Sequence, residues 1–112
     1  MELDEIDHIT GEPTGHKRQV MKESARISRG PMNDLAQAKA TDVAAWVFPG
    51  GFGAAKNLSN VAMVGGDATA NPEVARIVQE ALASQVPIGA CCIAPAMLSA
   101  AAKNSGAKLK LT

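Results

Sequence analysis

The stretch Pro87-Ile88-Gly89-Ala90-Cys91-Cys92-Ile93-Ala94-Pro95 decides the fold, because it predicts a strand, a sharp turn and a helix in succession. A short apolar run bounded by proline is typical of a buried strand, and residues 96–103 are mostly strong helix formers. A side chain at such a corner lies at a helix N-terminus, where unpaired N–H groups and the helix dipole favour an anion such as a thiolate.

The two cysteines are expected to occupy different places at this corner. A nucleophile elbow needs small residues two positions before and after the nucleophile. Cys92 has Ala90 and Ala94 there, whereas Cys91 is followed at that spacing by the bulky Ile93. We therefore assign Cys92 to the turn and Cys91 to the strand. The alternative is that both are buried core thiols, a common environment for free cysteine.

A second corner of the same kind follows the apolar run Val43–Phe48. Such a run is typical of a parallel strand covered on both faces, and Pro49-Gly50-Gly51-Phe52-Gly53 then predicts a glycine turn and a helix start. Glycine permits positive φ and lets another group approach the backbone closely. The turn lacks the spacing of a dinucleotide fingerprint, and an ordinary tight turn is the alternative.

Composition limits the classes of function. A chain of 112 residues forms one domain at most, so we expect a single domain over 1–112. Eleven basic and eleven acidic residues cancel, which argues against a nucleic-acid or anionic-membrane partner. No apolar run is long enough to predict a membrane span or an export signal. Two adjacent cysteines without a spaced framework indicate a reducing, intracellular compartment.

The N-terminal part of the chain is polar, and we expect at most a short hairpin over residues 1–15. A helix is predicted over 17–29, ended by Gly30-Pro31. Four basic residues would then share one helix face, either as a solvated surface or as a phosphate or RNA contact: Arg18, Lys22, Arg26 and Arg29. His8 and His16 are predicted to be surface residues, since no metal-ligand set accompanies them.

The remaining elements complete an alternating pattern of helices and strands. Asn71-Pro72-Glu73 predicts a capped helix start, and apolar residues at 74, 77, 78, 81 and 82 define one helix face. Residues 108–112 alternate as in a strand. This order predicts an α/β fold with a parallel sheet, in which ligands gather at the carboxyl ends of the strands. The Gly50-Gly51 and Cys92 corners should therefore lie side by side.

Both corner motifs, Phe48–Ser59 and Pro87–Pro95, closely resemble the ElbB-type proteins, which are class I glutamine amidotransferase-like members of the PfpI/ThiJ superfamily. Asp7–Glu12 and Glu23–Gly30 are also similar to that family. The resemblance implies a flavodoxin-like, three-layer αβα fold with a parallel sheet. It further implies that Cys92 is the catalytic cysteine.

The resemblance also implies an oxyanion-type site formed by the backbone of Gly50, Gly51 and Ile93. The implied activity is glyoxalase-like, on small dicarbonyl substrates such as glyoxal or methylglyoxal, without cofactor or metal. The implied location is the bacterial cytoplasm or, for eukaryotic relatives, the mitochondrion.

Members of the family are longer than this chain, and an upstream segment carries a glutamate that contacts the cysteine. We therefore expect a partial domain, incomplete at both ends, that forms a homo-oligomer or associates with a segment completing the sheet. Two functions remain open. One is a cysteine-dependent enzyme, weak or inactive in this short form, and the other is a noncatalytic subunit or fragment acting by packing or cysteine oxidation.

Overall fold

The computed structural model describes residues 1–112 and divides them into two compact units, Met1–Asp34 and Leu35–Thr112. The first unit contains an antiparallel hairpin of strands β1 (Glu2–Ile6) and β2 (Pro13–Gln19), followed by helix α1 (Val20–Ser28). The amide N–H groups of Ile9 and Thr10 donate to the Asp7 carboxylate, which lowers the pKa of Asp7 and closes the hairpin loop. The short hairpin expected from the sequence is thus present.

The prediction that four basic residues share one face of a helix is wrong. Helix α1 begins at Val20 rather than Lys17, so Arg18 lies on strand β2, where its Nε donates to Glu5 at 2.8 Å. This hydrogen bond lowers the pKa of Glu5. Arg29 caps the other end of α1 in the left-handed conformation with φ 57°. Cross-strand ion pairs explain the difference, because residues 17 and 18 find acidic partners on β1 that a helix would not offer.

The second unit is an α/β arrangement. Its strands are β3 (Trp46–Phe48) and β4 (Ile88–Ala90), and its helices are α2 (Phe52–Lys56), α3 (Val61–Val64), α4 (Pro72–Ala83) and α5 (Ala94–Ala102). Strands β3 and β4 pair in parallel, with Phe48 opposite Ala90. Helices α4 and α5 pack together, and Val78 and Met97 are fully buried between them. The core therefore lies between this helix pair and one face of the sheet.

Helix α4 forms as the sequence predicts. Asn71 is the N-cap and its side-chain oxygen accepts from the amides of Glu73 and Val74, while Pro72 occupies the first turn. These contacts satisfy N–H groups that have no partner within the helix. The buried positions of α4 are Val74, Ile77, Val78 and Ala81, which is the predicted apolar face.

Two strand predictions fail in the second unit. The apolar run 43–48 contributes only the three residues of β3, and Val47 in its middle is 66% exposed. Side chains alternate across a strand, and the core helices cover only the face that carries Phe48. Residues 108–112 form no strand. Their alternation reflects Leu109 packing against the core rather than pairing with a neighbouring strand.

Arg76 on helix α4 holds the start of the second unit in place. Its guanidinium donates to Glu73, to Glu80 and to the carbonyl oxygens of Leu35 and Ala38 at 2.7–3.0 Å. The indole N–H of Trp46 donates to the carbonyl of Ala40 at 2.9 Å. These bonds connect residues 35–42 to α4 and to β3.

No helix of the chain is both long enough and apolar enough to cross a bilayer.

Candidate functional site

Cys92 lies at the sharp turn that the sequence predicts. Strand β4 ends at Ala90 and helix α5 begins at Ala94, so only three residues join them. Cys92 has φ 56°, in the left-handed region that a residue other than glycine seldom adopts. The Cys91 amide donates to the Phe48 carbonyl at 3.0 Å, and the Ala94 amide donates to the Cys91 carbonyl at 3.0 Å. The turn is therefore held to both the sheet and the helix.

The glycine turn lies directly against the cysteine turn. Gly50 has φ 93°, and a Cβ added to it would lie 2.7 Å from the Cys91 carbonyl oxygen and 2.9 Å from Cys92 Cβ. The same atom would lie 3.4 Å from the amide nitrogen of Ile93. Only glycine allows this approach, because any side chain would displace the cysteine turn. The two corners thus lie side by side at the carboxyl ends of β3 and β4, which confirms the predicted arrangement.

The predicted backbone donors have no hydrogen-bond acceptor within the protein. The amide N–H groups of Gly50, Gly51 and Ile93 donate to no acceptor within the protein. Gly51 immediately precedes helix α2, and Ile93 immediately precedes helix α5. Unpaired N–H groups beside an electrophilic carbon are the donors that stabilise a developing oxyanion.

Both thiols are exposed. The expectation that Cys91 belongs to the strand is wrong, and so is the alternative that both cysteines are core residues. The reason is that β4 ends at Ala90, one residue earlier than predicted, which leaves Cys91 in the turn with Cys92.

The second unit contains four carboxylates and no histidine. Glu73 and Glu80 are bound to Arg76, and Asp42 accepts the Lys39 amide at 2.8 Å. Asp67 lies in an exposed turn of 3₁₀ helix, Gly65–Asp67. None of these carboxylates forms a hydrogen bond with either cysteine. His8 and His16, in the first unit, are exposed, and His, Cys, Asp and Glu residues form no group of three or more that could hold a metal ion.

Comparison with known proteins identifies relatives of this chain. It is 49% identical over 100 residues to the "ES1 protein homolog, mitochondrial" of Rattus norvegicus, an alignment that covers 88% of this chain and 38% of the relative. It is 52% identical over 93 residues to the human "Glutamine amidotransferase-like class 1 domain-containing protein 3, mitochondrial", covering 82% of this chain and 35% of the relative. The "ES1 protein, mitochondrial" of Danio rerio is 37% identical over 95 residues, covering 80% of this chain and 35% of that protein. No family model matches.

A solved structure supports the same assignment. The crystal structure of an isoprenoid biosynthesis protein with amidotransferase-like domain from Ehrlichia chaffeensis superposes with a TM-score of 0.78 at 38% identity. The match covers 90% of this chain and 48% of that chain. The fold is therefore the α/β, flavodoxin-like fold of amidotransferase-like domains, as the sequence resemblance implied.

These similarities support a place for the chain in the class I glutamine amidotransferase-like superfamily. It spans little more than a third of the length of the mitochondrial relatives.

Proposed function

We propose that Cys92 is the nucleophile of a glyoxalase-like activity on small dicarbonyls such as glyoxal and methylglyoxal. The observation that carries the proposal is the position of the thiol. Cys92 is exposed at a strained turn before helix α5, against the Gly50-Gly51 turn whose amides have no protein partner. An exposed thiol beside unpaired N–H groups is suited to attack on a carbonyl carbon.

The chemistry assigns a task to each group. The Cys92 sulfur attacks the aldehyde carbon of methylglyoxal, and the resulting oxyanion is bound by amides of Gly50, Gly51 and Ile93. Transfer of the proton on that carbon to the neighbouring carbonyl carbon converts the adduct into a thioester. Water then hydrolyses the thioester to lactate and restores the thiol. The net reaction adds one water to methylglyoxal and needs no external oxidant or reductant.

Proton transfer is the step for which this chain is poorly equipped. It needs an acid or base within hydrogen-bond reach of the substrate, and no carboxylate or imidazole bonds to the cysteine turn. The lack of a general acid–base group typically lowers a rate by about 10²- to 10⁴-fold. We therefore expect this chain alone to be a weak enzyme.

The test compares lactate formation from methylglyoxal by the wild-type chain, the Cys92→Ser variant and the Cys91→Ser variant. We expect the wild-type chain to exceed Cys92→Ser only slightly. A longer chain that also carries the upstream segment of a relative should show a large difference between the same two forms, whereas Cys91→Ser should remain active there. Fast turnover by the short chain, abolished in Cys92→Ser, would mean that another residue of this chain supplies the acid–base group.

The second candidate is a noncatalytic protein that acts through packing or cysteine oxidation. It is favoured by one observation, two exposed thiols with no acid–base partner. If the longer chain is equally inactive with and without the Cys92 thiol, this candidate replaces the enzyme.

We also propose that the protein acts in the mitochondrion or, in a bacterium, in the cytoplasm. The support is that the rat, human and zebrafish relatives are named as mitochondrial proteins. Cell fractionation followed by immunoblotting of the native protein tests this location, and recovery from a secreted fraction would contradict it.

A further inference from the structure

Cys91 and Cys92 are adjacent in the chain, both are free, and both residues are exposed. In a continuous strand, successive side chains point to opposite faces of the sheet. Here the strand ends at Ala90 and Cys92 adopts φ 56°, so the pair lies in the turn and both side chains are exposed. The proposed nucleophilic attack uses only Cys92. The neighbouring thiol of Cys91 therefore has no role in that chemistry.

The pair is poorly placed to close into a disulfide. Adjacent Cα atoms are about 3.8 Å apart across a trans peptide, whereas disulfides usually span about 4.4–6.8 Å. The turn also resists distortion, because the Cys91 amide and carbonyl are bonded to Phe48 and Ala94. Gly50 packs against the same carbonyl and against Cys92 Cβ. Both cysteines are therefore free.

Cys91 and Cys92 offer two sulfur ligands, and this number determines which element they can bind together. Thiolates prefer soft, thiophilic elements. Structural zinc takes four protein ligands, and this chain offers no group of three or more His, Cys, Asp or Glu residues. A suitable ligand contains an atom that forms bonds to two sulfurs and keeps one further bond to its own organic group. A monosubstituted trivalent arsenical has this valence.

We propose that Cys91 and Cys92 together form a dithiol site for monosubstituted trivalent arsenicals. With phenylarsine oxide, two sulfur–arsenic bonds form and the arsenic–oxygen bonding is broken. The oxygen leaves as water with the two thiol protons. Arsenic remains trivalent, so no oxidant or reductant takes part. The adduct covers the Cys92 sulfur, but its formation requires no turnover of a dicarbonyl.

The test uses phenylarsine oxide and the 112-residue chain, with intact-mass spectrometry as the readout. We expect one phenylarsenic group per chain. It should survive an excess of the monothiol 2-mercaptoethanol and be released by the dithiol 2,3-dimercaptopropanol. The second sulfur–arsenic bond forms intramolecularly, so retention should exceed that of a one-sulfur adduct by at least about 10²-fold.

The Cys91→Ser and Cys92→Ser variants are the matched controls, because each removes one exposed sulfur and keeps the size of the side chain. Circular dichroism confirms that each variant is folded. Both should lose the monothiol-resistant adduct. The proposal is overturned if either variant retains phenylarsenic as well as the wild-type chain, or if 2-mercaptoethanol strips the wild-type adduct. Lactate formation is measured separately, so failure of the proposed enzyme activity leaves this result unaffected.

Discussion

Gly50 and Gly51 are neighbours with the same backbone requirement but different surroundings. Both have positive φ, 93° and 84°. A Cβ at Gly50 would clash with the Cys91 carbonyl and Cys92 Cβ, whereas a Cβ at Gly51 would meet nothing within 4 Å. Comparing the same substitution at the two positions therefore distinguishes the cost of backbone strain from the cost of steric contact with the cysteine turn.

We predict that Gly50→Ala is more damaging than Gly51→Ala. Both substitutions should carry a cost of about 1–3 kcal/mol for holding alanine at a positive φ. Gly50→Ala should lose a further amount of about 1–3 kcal/mol through overpacking. Urea denaturation measures the stabilities. Iodoacetamide labelling, in a Cys91→Ser background, measures the accessibility of Cys92, which should change only with Gly50→Ala. Equal effects of the two substitutions would show that the contact with the cysteine turn is unimportant.

At the residue scale, the position of the turn is predictable from the sequence, whereas the environment of Cys91 is not. The small residues around Cys92 reported the close backbone packing of the elbow, so its position followed directly. The environment of Cys91 depends on where the β4 hydrogen bonds stop, and β3 contributes only three residues to that ladder. Local sequence carries little information on such a tertiary limit, which is why Cys91 was expected inside the sheet.

At the scale of elements, helix α4 carries an ion pair between Arg76 and Glu80. The hydrogen bond from Arg76, with a second from the Ala40 amide, lowers the pKa of Glu80 below its ordinary value of 4.5. A carboxyl with a depressed pKa in the folded state stabilises the fold above its unfolded pKa. That contribution is lost as the pH falls through the lower, folded value.

We predict that the Glu80→Gln variant is less stable than the wild-type chain at neutral pH and that the difference shrinks on acidification. The gap should begin to close near the ordinary pKa of 4.5 and continue to close below it. Thermal unfolding followed by circular dichroism at a series of pH values gives the two curves. Curves that stay parallel through the acidic range would show that Glu80 contributes nothing through its charge.

Elements with a local signal were predicted well, and those fixed by distant partners were not. The cap, proline and apolar spacing of α4 all lie within its own sequence, so its start and buried face followed. Arg18 was placed on a helix because its acidic partner, Glu5, lies on another strand. The alternation of residues 108–112 was likewise ambiguous, since an extended segment becomes a strand only when a neighbouring backbone pairs with it.

At the scale of the whole molecule, stability depends on a small core. Its largest fully buried side chains are few: Ile77, Met97, Val74 and Val78. The core also contains many alanines, such as Ala94 and Ala101, which bring α4 and α5 close together. Small cores leave little reserve, because native proteins are typically stable by only about 5–15 kcal/mol.

We predict that Met97→Ala destabilises the chain by about 2–5 kcal/mol, since it opens a cavity at a fully buried position. Met63→Ala is the matched control, because Met63 is 61% exposed and its truncation should change stability by less than about 0.5 kcal/mol. Chemical denaturation of the two variants measures both values. Similar losses would mean that the core is not centred on the α4–α5 interface.

The contact between Gly50 and Cys92 makes the site a product of folding. The two residues stand about forty positions apart, and joining the ends of a flexible loop of that length costs about 3 kcal/mol of entropy. The proposed nucleophile and the proposed amide donors therefore have no common environment in the unfolded chain. A reagent that detects the assembled turn thus also counts the molecules that have completed their folding.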